Sequence, residues 1–229
     1  MSSPLFKCKT DNAFRVKIMS EITSNVLKTG FWEIGPNGII LSMFDESRKT
    51  MLTISMDSEN FQMYNFESED AINIGINSSH LHKMLKSVKK KDMLELQIDS
   101  DDSDELTITT IPSIQNRKTV SKIKIQTVQN IDVVNPGGYG RSIIIPSSDF
   151  QKMIKDLNTI SSDKLEISSQ NGVISFTADA DGVMKRTVTF GEENERLGSS
   201  SSEKFSMEQI QRISKISALS ESIHAFVGN

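Results

Sequence analysis

Residues 78–86 read SSHLHKMLK and residues 147–155 read SSDFQKMIK. Both stretches give Ser-Ser-x-apolar-x-Lys-Met-apolar-Lys, and repetition at that level marks a chain built from similar units. A second echo pairs WEIGPNGIILSMFD at 32–45 with LEISSQNGVISFTAD at 165–179. Each reads as a short strand, an Asn-Gly turn and another strand. Asn37-Gly38 and Asn171-Gly172 predict type I′ hairpins, which need positive φ at both central residues.

Outward from these segments, the coarse order is a helix, several short strands, a helix and more strands, and then the same again. Helices are expected near 12–24, 79–89, 148–158 and 206–217. Strands are expected near 31–35, 39–45, 51–56, 61–66, 71–76, 93–98, 105–110, 119–126, 141–145, 165–168, 173–177, 184–190, 203–205 and 222–228. Period-two alternation, as at Leu94, Leu96, Ile98 and at Leu106, Ile108, suits antiparallel sheet with one packed and one wet face. Hairpin arrays with helices gathered on one face give an α+β fold of two similar domains. The Pro-Gly-Gly in TVQNIDVVNPGGYG (127–140) breaks regular structure, so the domains are expected at 1–127 and 141–229 with a connector at 128–140. The serines after Gly198 are expected to form a mobile hairpin loop.

The 229 residues are 36% hydrophobic and 24% charged, which is ordinary for a water-soluble chain. No apolar run approaches the length that spans a bilayer, so no membrane association is expected. The single cysteine, Cys8, rules out an internal disulfide framework, and the chain reads as intracellular. Few histidines and one cysteine leave little material for a nucleophile–base pair. No Gly-rich phosphate loop is present. The acidic run Asp99–Glu105 lacks the glycine and glutamate spacing of a calcium loop and reads as a solvated hairpin tip. His80 and His82 are i, i+2 and point to different faces, which disfavours a shared metal. No enzyme activity, metal or cofactor is expected.

Net charge is −4, yet the lysines collect on the predicted helices. In 79–89, Leu81, Met84, Leu85 and Val88 form one apolar stripe, and Lys83 and Lys86 lie almost opposite it. In 148–158, Phe150, Met153, Ile154 and Leu157 face inward while Lys152 and Lys155 face out. In the fourth helix Arg212 and Lys215 oppose Met207, Ile210 and Ile213. In the first, Lys17 points outward, and Arg15 flanks Phe14, Ile18 and Ile22. One such pair is ordinary solvation of a helix face. Three in an acidic chain point to a basic surface that tracks phosphates without reading bases.

Several segments carry a family resemblance in their order and spacing. They are Phe31-Trp32-Glu33-Ile34, Gly38-Ile-Ile-Leu41, Met43-Phe44-Asp45, Ile74-Gly75-Ile76-Asn77 and Phe150-Gln-Lys-Met-Ile-Lys-Asp-Leu157. From about Phe6 to the C-terminus the chain resembles the proliferating cell nuclear antigen family of eukaryotic, archaeal and viral sliding DNA clamps. The resemblance implies a closed homotrimer of two-domain subunits, with helices lining a hole for double-stranded DNA and sheets forming the outer wall. Lys17, Lys83, Lys86, Lys152, Lys155 and Lys215 match basic positions of that hole, whereas Arg212 is assigned from helix geometry alone. It also implies a ring contact between strand 119–126, with Ile123 and Ile125, and the neighbour's strand bearing Met184, Val188 and Phe190. Met43, Phe44, Arg48, Met51, Val133, Val134 and Pro136 are implied to line a groove for a short peptide motif of DNA polymerase and other replication or repair proteins. A clamp loader, and a nuclear or viral replication-compartment location, are implied with them. In the family, two further strands and a tail follow the strand expected at 222–228.

Three other readings stay open on the residues: a heterotrimeric checkpoint-type ring, a monomeric polymerase processivity protein, and a metal-dependent nuclease using the acidic run.

Overall fold

The computed structural model describes residues 4–101, 103–114, 117–127, 137, 139, 141–161, 163–193 and 200–226. The chain divides into two compact units, Met1–Val133 and Val134–Asn229.

The first unit holds strands β1 (Pro4–Thr10), β2 (Thr29–Gly35), β3 (Gly38–Phe44), β4 (Met51–Asp57), β5 (Met63–Phe66), β6 (Ile72–Asn77), β7 (Met93–Asp99), β8 (Glu105–Ile111), β9 (Thr119–Lys124) and β10 (Gln126–Thr127). Its two helices are α1 (Ala13–Val26) and α2 (Ser78–Leu85), which pack on each other. The strands form two antiparallel sheets, ordered β5-β1-β7-β8-β9 and β10-β6-β2-β3-β4. Alternation explains the core: Phe6 and Cys8 of β1, Trp32 and Ile34 of β2, Ile39 and Leu41 of β3, and Leu106 and Ile108 of β8 all turn inward. Each fully buried side chain of this size contributes roughly 1.5–3 kcal/mol.

The second unit holds β11 (Ile143–Pro146), β12 (Lys164–Gln170), β13 (Val173–Ala180), β14 (Met184–Gly191), β15 (Ser200–Ser206) and β16 (Ser222–Ala225). Its helices are α3 (Ser147–Asn158) and α4 (Met207–Ile213), the latter followed by a 3-10 turn at Ser214–Ala218. One sheet runs β14-β13-β12-β15, and β11 pairs with β16. Phe150, Met153, Ile154 and Leu157 of α3 pack with Leu165, Ile174, Phe176 and Met207.

The α+β class is as expected, and each helix begins within one residue of its expected start, although α2 ends at Leu85, short of residue 89. Five further details differ. Strand β1 was not expected, although Phe6, Cys8 and Thr10 alternate with the less buried Lys7 and Lys9. The predicted strand 119–126 is two strands on different sheets, because the chain crosses over at Ile125, whose N–H donates to the Asp104 carbonyl at 2.7 Å. Ser200, Ser201 and Ser202 are not a loop. They pair with Gln170, Ser169 and Ser168 of β12, and the Ser202 hydroxyl donates to Glu166 at 2.8 Å.

The two Asn-Gly turns also part company. Asn171 and Gly172 have φ of 53° and 85°, as a type I′ turn requires. At the other hairpin the loop residues are Pro36 and Asn37, because Gly35 pairs with Gly38. The proline ring fixes a negative φ there, which excludes type I′. Gly38 instead has φ 147°, and a Cβ on it would run into the Met56 carbonyl oxygen. Finally, the fourth helix ends at Ile213 and Lys215 falls in the 3-10 turn.

Candidate functional site

Helix α2 starts from Asn77, whose side chain accepts the His80 N–H at 2.9 Å and so satisfies one free donor of the first turn. Leu81, Leu85 and Val88 are buried, whereas Lys83 and Lys86 are exposed. Met84 departs from the expected stripe and is 39% exposed. The helix stops at Leu85, and Val88, in the following turn, completes the apolar face. In α3 all four expected apolar residues are buried, and Lys152 and Lys155 are exposed. None of these four lysines is paired with a carboxylate among the described residues. Each unit thus presents two uncompensated cations at i, i+3 on the solvent side of a helix.

The other three cations are held differently. Lys17 is half-buried, its ammonium donating to the Val88 carbonyl at 2.9 Å and lying 5.6 Å from the Phe14 ring centroid. It is therefore tied down, not pointing freely outward. Arg212 pairs with Glu208 at 2.5 Å, one helical turn away, which reduces its charge toward any anion. Lys215 is half-buried and has a partner of its own.

The residues expected around the peptide groove separate by strand face. Phe44 is 41% exposed and pairs across the ladder with Met51, so the two share a face. Met43 points the other way, packs against the core and accepts the Phe31 N–H on its sulfur at 3.2 Å. It is therefore not on the face that carries Phe44. By the same alternation Ile40, 45% exposed, joins the Phe44 face. That residue was legible from GIILSMF but not singled out. Arg48 is exposed, with φ 55°, in the turn between β3 and β4. Asp45 organises this turn by accepting from the Ser47 hydroxyl at 2.6 Å and from the Lys49 and Thr50 N–H groups at 2.9 Å each. Desolvation pushes its carboxyl upward, but the hydrogen bonds from Ser47, Thr50 and Lys49 together outweigh it and hold the pKa below its usual value. Val133, Val134 and Pro136 lie outside the described residues.

Strands β9 and β14 are each the last strand of their sheet. Ile123 is buried and Ile125 half-buried in the first unit's own core, so neither presents its side chain at an edge. Val120 on β9 is 60% exposed and Met184 on β14 is 52% exposed. Val188 and Phe190 pack partly against the second unit's core.

A family model described as "Proliferating cell nuclear antigen, N-terminal domain" matches residues 5–134. The chain belongs to the proliferating cell nuclear antigen family. It is similar to a probable DNA polymerase sliding clamp of Paramecium bursaria Chlorella virus 1, at 22% identity over 97% of this chain and 87% of that protein. It is also similar to the proliferating cell nuclear antigen of Dictyostelium discoideum, at 22% identity over 77% of this chain and 68% of that one. The crystal structure of the Entamoeba histolytica protein shares the fold, with a TM-score of 0.84 at 19% identity, covering 99% of this chain and 91% of that one. Sliding clamps of this family are not enzymes, and the chain's function is that of a DNA polymerase sliding clamp, a processivity factor in replication. Association with DNA and polymerase follows from that membership.

Proposed function

We propose that the protein acts as a closed homotrimer that encircles duplex DNA, with Lys83, Lys86, Lys152 and Lys155 facing the phosphates. The supporting observation is that these four ammonium groups, two on each unit, are exposed and unpaired among the described residues although the chain is acidic as a whole. Lysine contacts to backbone oxygens are independent of sequence and weaken with salt, which is what a moving clamp requires. Lys17, Arg212 and Lys215 are assigned to the same surface in a lesser role, because each already has a partner.

The two units are read as successive copies of one clamp domain joined by a connector at 128–140. The ring closes by pairing edge strand β9 of one subunit with β14 of the next, a head-to-tail contact that satisfies backbone groups otherwise open at both edges. The face with Phe44, Met51 and Arg48, together with Val133, Val134 and Pro136, receives the short peptide motif of polymerase and other clamp clients. A clamp loader opens the ring, and the site of action is the nucleus or a viral replication compartment.

The test is charge reversal of Lys83, Lys86, Lys152 and Lys155 to Glu. The expected result is an intact trimer by light scattering and a large loss of polymerase stimulation on primed DNA. Full stimulation by the reversed protein would reduce the lysine faces to ordinary solvation.

A further inference from the structure

Three consecutive lysines, Lys89, Lys90 and Lys91, follow Val88, the last buried residue of the α2 segment. All three are exposed, and none is paired with a carboxylate among the described residues. Adjacent like charges repel over a screening length of ~10 Å at 0.1 M salt. A turn that needed only to be wet gains nothing from holding three together.

The turn is nevertheless pinned. The Lys89 N–H donates to the Asp92 carboxylate at 2.9 Å, and the Asp92 N–H returns to the Lys89 carbonyl at 3.2 Å. Asp92 is buried, and its other carboxylate oxygen accepts the Ser113 N–H at 3.4 Å. Its charge is directed at backbone donors and is not spent on the lysine side chains. On the near side, the Lys17 ammonium grips the Val88 carbonyl and ties the turn to α1. The Lys90 ammonium lies 5.8 Å from the centroid of the Phe14 ring that Lys17 also approaches. Segments 13–26 and 78–91 together carry Arg15, Lys17, Lys83, Lys86 and these three lysines against one acid, Glu21.

We propose that the Lys89–Lys91 turn is a further phosphate-contact site, fixed beside α1, that grips the duplex backbone in addition to the helix lysines. It rests on the reading of α2 as a DNA-facing helix and extends that reading to a segment outside any helix. The pinned backbone means that only side chains need ordering when the anion arrives, which lowers the entropic cost of contact.

The test titrates a labelled linear duplex oligonucleotide at several salt concentrations with wild type and with the Lys89→Gln, Lys90→Gln, Lys91→Gln triple variant. The expected result is weaker binding with a log–log salt slope shallower by about 1–3, at about 0.9 per lost phosphate contact. Thermal unfolding should be unchanged or shifted upward, because repulsion is relieved. Equal affinity and slope in both proteins overturn the proposal. So does a variant that loses binding to phosphatidylserine vesicles while keeping the duplex. The corresponding Gln variant of Lys83, Lys86, Lys152 and Lys155 separates the two readings. If it alone loses DNA, only the turn proposal falls; if wild type shows no salt-sensitive duplex binding, both fall.

Discussion

Cys8 lies on β1 with its thiol inside the first unit. Burial pushes its pKa up to about 12, with the negative charge of Glu95 adding to the rise and a hydrogen bond at Leu96 opposing it. A raised thiol pKa stabilises the fold fully below the unfolded value of 9.0, and that contribution is lost as pH climbs from there toward 12. The thiol should therefore resist iodoacetamide at neutral pH and react only at the rate of unfolding, which mass spectrometry of timed samples would show. Rapid alkylation of the folded protein would contradict this burial. Asp45 has the opposite sign. Its pKa is lowered from 3.8, so its contribution is present above that value and disappears as pH falls through the folded pKa. Asp45→Ala should cost about 1–3 kcal/mol in urea unfolding at neutral pH, because three donors of the turn lose their acceptor. The gap from wild type should close in acid.

At the scale of elements, the proposed ring contact makes a demand on the edge strands that the residues themselves refine. Antiparallel strands point successive N–H groups to opposite sides. On β9 the N–H of Ile125, just past the strand, points toward β8, so Ile123 shares that direction while Val120 and Lys122 donate outward. A proline at Ile123 would damage the core and the internal ladder together. Val120→Pro removes an outward donor from an exposed position and should give folded monomers in light scattering with an unchanged circular dichroism spectrum. A persistent trimer would count against β9 as the contact edge. Helices α2 and α3 were legible because their apolar stripes are regular, and their outward lysines follow from 3.6 residues per turn. Strand β1 was not, since its inward positions are Phe6, Cys8 and Thr10, and only the first is strongly apolar. The split at Ile125 was also hidden. An alternating run does not reveal that the chain changes sheets within it. Met43 and Phe44 were grouped by the family resemblance, but pleating sends sequence neighbours to opposite faces.

At the scale of the whole molecule, charge distribution mattered more than its sum. Among the described residues, exposed lysines without a carboxylate partner include those of α2, α3 and the turn at Lys89–Lys91, alongside scattered ones such as Lys49 and Lys164, and the first two sets were visible from spacing alone. What spacing could not supply is that Lys17 was already committed to a carbonyl 71 residues away, whereas the Glu208–Arg212 pair is an i,i+4 contact that spacing offered but that was not singled out. The pairing of Ile143–Pro146 with Ser222–Ala225 has a different consequence. The first unit's ladders are complete once Thr127 is available, whereas the second unit's opening strand waits for a partner about eighty residues downstream. During synthesis, domains fold largely as units, N-terminal first. Ribosome-bound chains halted after Thr127 has emerged should thus hold a protease-resistant first unit. Chains halted before Ser222 should leave the second exposed to cleavage and to chaperones. Translation speed through the codons between Thr127 and Ser222 would then set how long each newborn chain remains half-made.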